Sequence, residues 1–419
     1  MTRSPSETMN LGADPGAGES GQAPKLLSGI RVVDFTEYLA GPYCTWILAQ
    51  MGAEVIKIER PAGDAMRRRA FGQEGEPVPF HMIHGNKRSV AVDAKSDQGR
   101  RIVEQLAARS DVFVENFRPG VVERLGLGER NLRSGHPELV YCSVRGFREG
   151  TEHSGLAGVD PVAEALGGLA SVTGSPDGPP LKSGFPVADL GAGMWAALGI
   201  LAACLRRAST GEGEYIRTSL LDGVISWSVW HMAYYLMRGS NPPRLGSAHL
   251  YLAPFEFFEC EDGEFIVVGV GNDRHWRLLC DVIERKDLVD DPRFSELYER
   301  GRRADELRLE LAPLFRGQPS RHWLEAIQRQ GIPCAPILSM KDVAEGDYAR
   351  QSGMLTTVDG FAGQTRVVGF PVEFMPGSLR DPAGGPKLGA DTADVLTTFC
   401  GLDEAQISAL ALDGVIALG

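Results

Sequence analysis

The 419-residue sequence is short of basic charge: 43 Lys and Arg stand against 55 Asp and Glu, a net charge of −12. Such a balance offers no surface suited to a polyanion, so a nucleic acid is excluded as a general partner. Long apolar runs are missing too. Met194 to Leu205 is the longest, well below the roughly 20 residues that cross a bilayer as a helix. No apolar stretch follows a basic start near Met1, so no signal peptide is expected. Neither a membrane partner nor a secretory route is therefore expected. The seven cysteines, scattered from Cys44 to Cys400, form no Cys-x-x-Cys pair. That argues against a zinc or redox motif and for a reducing, cytoplasmic setting.

Several catalytic signatures are also absent. No Gly-x-Gly-x-x-Gly follows the first predicted strand and no glycine loop ends in Lys-Ser or Lys-Thr, which removes the usual grounds for NAD or ATP. Gly-x-Ser-x-Gly, the setting of a hydrolase serine, does not occur. His81 and His84 stand without further ligands at a recognised spacing, so no metal site is expected.

What is present is ordinary soluble composition, 43% hydrophobic, in a chain long enough for two or three domains. Residues 1–24, rich in Gly, Ser, Pro and acid, read as a disordered tail. Beyond them the pattern predicts strands at 30–35, 55–58, 89–93, 111–115 and 139–144, with helices over 41–51 and 96–108. That alternation predicts an α/β fold with a Rossmann-like parallel sheet, whose ligands gather at the strand carboxyl ends. Glycine- and proline-rich loop chemistry fills 155–184, a buried helix follows Asp189, and another helix is expected over 220–237. A strand pair at 255–258 and 265–268, turned on Asp262-Gly263, precedes helices at 273–284, 303–315 and 320–330. The expected organisation is a large domain over 25–225, a linker and small α+β domain over 226–344, and a return to the large domain over 345–419.

Arg60, Lys95, Arg118 and Arg124 lie just past predicted strand ends, together with Asn116. A phosphate-bearing ligand sits there in such sheets, and each charge-assisted hydrogen bond is worth about 1.5–3 kcal/mol. A solvated basic surface is the plainer reading of the same residues.

The blocks Leu39-Ala-Gly-Pro42, Gly52-Ala-Glu-Val-Ile-Lys-Ile-Glu-Arg-Pro61, Asn86-Lys-Arg-Ser89, Glu115-Asn-Phe-Arg-Pro-Gly120, Thr173-Gly-Ser-Pro-Asp-Gly-Pro-Pro180 and Ala188-Asp-Leu-Gly-Ala-Gly-Met194 resemble those of the class III CoA-transferases, the CaiB/BaiF type. Gly331-Ile-Pro-Cys-Ala-Pro336 and Leu388-Gly-Ala-Asp-Thr392 extend the likeness to about residues 25–400. The resemblance implies a large domain built from both chain ends, an interlocked homodimer, coenzyme A as substrate with no permanently bound cofactor, and acyl-CoA with a carboxylic acid as reaction partners. It implies a catalytic aspartate at Asp189. Its CoA contacts fall on Leu39, Ala40, Arg60, Val92, Asp93, Lys95, Asn116, Phe117, Arg118, Arg124, Ala157, Gly158, Val159 and Asp160.

An aspartate with a reference pKa of about 3.9 is ionised at neutral pH and attacks a thioester without a general base. Gly191 and Gly193 leave room for a substrate beside it. The competing role for Asp189 is a cap on the following helix. Leu39 and Val159 stand where formyl-CoA transferase has glutamine and tyrosine, and the small-domain glycine loop is shortened to Gly246-Ser247, which points to a larger, more apolar acyl group. The related 2-methylacyl-CoA racemases have His-Asp in place of Val159-Asp160, leaving His153 as the nearest histidine in this loop. A racemase or isomerase of the same fold, or a CoA-binding protein without turnover, are the alternatives.

Overall fold

The computed structural model describes residues 24–68 and 76–419. The expected tail lies outside the described residues except for Pro24. The strands, in chain order, are β1 (Arg31–Phe35), β2 (Glu54–Glu59), β3 (Lys87–Val92), β4 (Val112–Glu115), β5 (Val140–Arg145), β6 (Tyr215–Ser219), β7 (Phe255–Glu259), β8 (Phe265–Gly269), β9 (Cys334–Pro336), β10 (Leu355–Asp359), β11 (Gln364–Val368) and β12 (Ile416–Ala417).

Seven of these form one sheet in the order β12-β3-β2-β1-β4-β5-β6. β1 to β6 run parallel, while β12 pairs antiparallel with β3, Ile416 opposite Val92. Both faces of the sheet are covered, which explains why Val32, Val33, Ile56, Val90, Val112, Phe113 and Val114 form nearly continuous apolar runs instead of an alternating pattern. The strand order reverses between β1 and β4. In open parallel sheets that reversal leaves a crevice beyond the carboxyl ends.

The chain divides into two compact units. The first comprises residues up to Ala163, Pro186–Gly223 and Ser352–Gly419, so both chain ends build the large sheet. The second comprises Glu164–Phe185 and Val224–Gln351. Its core packs Trp276, Leu279, Phe294, Leu311 and Phe315 against the antiparallel sheet β7-β8-β9. Residues 164–185, expected in the large domain, belong to this second unit. Glu164 accepts hydrogen bonds there from Ser183, and Gly174 accepts one from the amide of Gly246.

Two predicted helices differ from expectation. The helix expected after Asp189 runs Val187–Thr210, so Asp189 sits inside its first turn. One face is buried through Ala188, Ala192, Ala196, Ile200 and Ala203, while Met194, Leu198 and Leu205 are exposed, so it is not buried all round. Among the described residues it is the one helix long and apolar enough to cross a membrane. The helix expected over 220–237 is two, Leu220–Ser226 and Val229–Arg238. Between them Trp227 and Ser228 donate to the carbonyls three residues back, and the Ser228 hydroxyl takes the Ile225 carbonyl as well.

Candidate active site

The carboxyl ends of β1, β4 and β5 open on a cleft of about 710 Å³. Its position is set by a buried ionic cluster under the first loop. The Asp34 carboxylate, fully buried, accepts from Lys87 at 2.9 Å, from Thr45 at 2.7 Å and from Thr36. Lys57 donates to the Thr36 carbonyl at 3.0 Å and to Asp64 at 2.9 Å. Burial opposes the charge on Asp34, but Lys87 and Lys57 outweigh it and hold the carboxyl below its ordinary pKa. These bonds fix the turn that leads into Tyr38, whose backbone adopts a left-handed φ of 67° at the cleft wall.

Asn116 ties the loops of β1 and β4 together. Its side-chain oxygen accepts from the Glu37 amide at 2.8 Å, and its NH₂ donates to the Glu37 carbonyl at 2.7 Å. At the β5 end, a Cβ on Gly158 would lie 2.3 Å from the Gly146 Cα. Two backbones meet there, and this contact carries Ala157 to Asp160 over the cleft.

Asp189 enters the cleft from the amino end of the Val187–Thr210 helix. The expected cap role is taken by another residue: the Asp160 carboxylate accepts from the amides of Ala188 at 2.8 Å and Asp189 at 3.2 Å. No hydrogen bond reaches the Asp189 carboxylate itself among the described residues, so its oxygens face the cleft uncommitted. Burial, with the neighbouring Asp160 charge adding to it, pushes Asp189 up to about 7. The expectation of a fully ionised aspartate at neutral pH is thereby corrected. Gly193 serves the fold and not the substrate, because a Cβ there would lie 2.6 Å from the Ala40 carbonyl oxygen. Gly191 is buried on the same helix.

Leu39, Ala40, Asn116, Phe117, Arg118, Ala157, Gly158, Val159 and Asp160 all line this cleft with Asp189. Arg60, Val92, Asp93, Lys95 and Arg124 do not. Arg60 stands near its rim, 3.9 Å from the cleft residue Glu37. The Val92 side chain is buried in the sheet core, and Asp93 accepts from the Lys95 amide at 3.1 Å. Lys95, Arg118 and Arg124 are exposed and outside any ion pair among the described residues. With Arg60 they string cations along the carboxyl ends of β3, β2 and β4. His153 is not among the cleft residues and sits 3.5 Å from Glu152. His81 lies between Glu76 and the Gly385 amide, and His84 beside Lys87 at 3.2 Å.

The sequence reading missed Tyr38, Met66, Leu220 and Arg145 in the cleft wall. Arg145 is the last residue of β5, and the strand-end rule applied to Arg60 and Arg118 would have found it.

The family model for CoA-transferase family III matches residues 27–392. The chain belongs to that family. Succinyl-CoA:mesaconate CoA-transferase of Haloarcula hispanica is 37% identical to this transferase over 382 residues, 88% of this chain and 95% of the relative. Succinyl-CoA:glutarate CoA-transferase of Mus musculus is 34% identical over 397 residues, 94% and 90% of the two chains. A CaiB/BaiF family protein from Brucella suis superposes with a TM-score of 0.79 at 30% identity, covering 90% of this transferase and 100% of that chain. The protein is a CoA-transferase enzyme with a mixed α/β fold.

Proposed function

We propose that the enzyme moves coenzyme A from an acyl-CoA to a free carboxylic acid, with Asp189 as nucleophile. An oxygen of Asp189 attacks the donor thioester carbonyl, the C–S bond breaks, and CoA leaves as thiolate from a mixed anhydride. The thiolate attacks the aspartyl carbonyl, releasing the donor acid as carboxylate and leaving an aspartyl-CoA thioester. The acceptor carboxylate displaces the thiolate to form a second anhydride. Attack of the thiolate on the acceptor acyl carbon gives the new acyl-CoA and restores Asp189. No water and no net proton enter the cycle, so the thioester energy is retained if the cleft excludes water.

The observation that carries this reading is the uncommitted Asp189 carboxylate, facing the cleft while Asp160 caps the helix in its place. Desolvation makes it a better nucleophile once ionised. Leu39, Ala40, Phe117, Arg118 and Ala157 to Asp160 would line the acyl-pantetheine path, and Arg60, Lys95 and Arg124 would face the CoA phosphates. Leu39, Met66, Val159 and Leu220 give that path an apolar wall suited to an aliphatic acyl chain. Asn116 supports it by holding two loops in register. A racemase needs a second base across the α-carbon, and His153 is not placed to supply it.

A homodimer fits the same reading. Leu198 and Leu205 of the first unit, and Trp230 and Met237 of the second, are exposed apolar side chains seven residues apart on their helices. An interlocked pair of subunits would cover them, and the seven free thiols suit a cytoplasmic home. Incubation with acyl-CoA followed by intact-mass measurement is the test. The wild type should gain the mass of CoA less one water, and Asp189→Ala should gain nothing. An adduct of equal yield in Asp189→Ala would overturn the assignment.

A further inference from the structure

A buried ion pair joins the ends of two strands beside the cleft residues Phe117 and Arg118. Glu115, the last residue of β4, is fully buried, and the side chain of Arg145, the last residue of β5, is 4% exposed. Glu115 Oε2 accepts from Arg145 Nη1 at 2.7 Å and from the Phe117 amide at 3.0 Å. The same Nη1 donates to the Phe117 carbonyl. One pair of charges thus takes both backbone polar groups of Phe117, whose ring centroid lies 4.8 Å from that of Phe35. Apolar residues of similar volume often serve stability as well as a buried ion pair does. Here they would strip the Phe117 N–H and C=O of these partners. Ser143 donates to the other oxygen, Glu115 Oε1. Burial pushes Glu115 up to about 7 against the pull of Arg145, so acid and carboxylate coexist at neutral pH. A proton on Oε1 leaves Oε2 accepting in either state.

We infer that Glu115 and Arg145 are positioning residues for coenzyme A binding, which clamp the backbone of Phe117 and so hold Phe117 and Arg118 in place at the cleft. The inference rests on the CoA-transfer reading, which puts acyl-CoA in this cleft, and adds two residues that act through the loop without touching the ligand. β4 lies between β1 and β5 in the sheet. Asn116 ties the loop after β4 to Glu37 beyond β1, and the clamp ties it to β5, so the loop is fixed from both neighbouring strands. Arg118 comes one residue later, and its carbonyl accepts the Val121 amide at 3.1 Å. Hydrogen bonds to an oxygen, more than net charge, do the holding.

The test is calorimetric titration of free CoA into the wild type, Glu115→Ala, Glu115→Gln, Arg145→Met and Glu149→Gln. Glu115→Ala should raise the Kd about tenfold at unchanged stoichiometry, whereas a purely structural role would lower the stoichiometry and leave the Kd alone. Glu115→Gln keeps an oxygen for both donors and should stay within about threefold of the wild type. Arg145→Met leaves a Glu115 that can take up a proton, so it carries the test if Glu115→Ala does not fold, and its Kd should also rise about tenfold. Glu149 lies 3.4 Å from Arg145 Nε and takes no part in the clamp, so Glu149→Gln should match the wild type. Wild-type affinity in Glu115→Ala or Arg145→Met would overturn the inference and leave the transfer reading standing. So would a Glu115→Gln as weak as Glu115→Ala, or a loss seen only in stoichiometry. A wild type that binds no CoA would remove the transfer reading and this inference with it.

Discussion

The carboxylate of Asp160 accepts a hydrogen bond from the backbone amide of Asp189 at 3.2 Å, so one acid holds the other in place without touching its side chain. The same contact sets two negative charges near each other and helps to raise the Asp189 pKa. Asp160→Asn retains an acceptor oxygen for the helix amides but removes the charge. In that variant the acidic limb of the pH–rate profile, near pH 7 in the wild type, should move to lower pH. A profile that stays in place would show that Asp160 does not tune Asp189.

The raised pKa also has a consequence for stability. Asp189 titrates near 3.8 when unfolded and near 7 when folded, so the folded state binds the proton more tightly. Below pH 3.8 the carboxyl is neutral in both states and costs nothing. As pH rises from 3.8 to 7 the destabilisation grows, and above 7 it is complete. Asp189→Asn should therefore be inactive yet more stable than the wild type at pH 8, on the order of 2 kcal/mol, with the gain shrinking towards pH 4. Urea unfolding at the two pH values measures this; a gain independent of pH would contradict it.

Much of the fold was legible in the sequence because parallel strands buried on both faces are apolar along their length, as in Val32-Val33 and Val112 to Val114. β6 was not, since Tyr215-Ile-Arg-Thr-Ser219 at the sheet edge mixes polar and apolar residues, and β12 has only two residues. Half of the cleft residues were named through the family resemblance. The division of labour between Asp160 and Asp189 was not, because a side chain capping a helix from 29 residues upstream leaves no local pattern. Gly193 was misread for a similar reason: a glycine one turn after Asp189 looks the same in sequence whether it faces substrate or a neighbouring carbonyl.

That glycine gives a direct prediction. Gly193→Ala places a methyl 2.6 Å from backbone oxygen at Ala40, which cannot swing aside as a side chain would. The expected cost is about 1–3 kcal/mol. Turnover should fall as well, because Asp189 and the Leu39-Ala40 wall ride on the two helices being pushed apart. Thermal unfolding and kcat check this, and wild-type values for both would rule out the close approach.

Beneath the cleft, Lys87→Met should leave Asp34 buried with less compensation and cost about 3–5 kcal/mol. The double variant Lys87→Met, Asp34→Leu should recover part of that loss. Denaturant unfolding of the wild type, the two single variants and the double variant decides it, and simple additivity of the two changes would contradict a coupled pair.

Along the carboxyl edge of the sheet, Arg124→Ala and Lys95→Ala should each raise the KM for acyl-CoA severalfold and leave folding intact, since both side chains are exposed and unpaired among the described residues. Raising the salt concentration should narrow the gap from the wild type. Steady-state kinetics at two ionic strengths test this, and an unchanged KM would detach these cations from the ligand.

The central claim is tested most directly with an acceptor acid carrying ¹⁸O in its carboxylate. In the proposed cycle the oxygen bridging the second anhydride comes from the acceptor and departs with the enzyme. Mass spectrometry of the peptide containing Asp189 should therefore show a gain of one heavy oxygen, about 2 Da, after a single turnover. Product formation with no heavy oxygen at Asp189 would contradict the account.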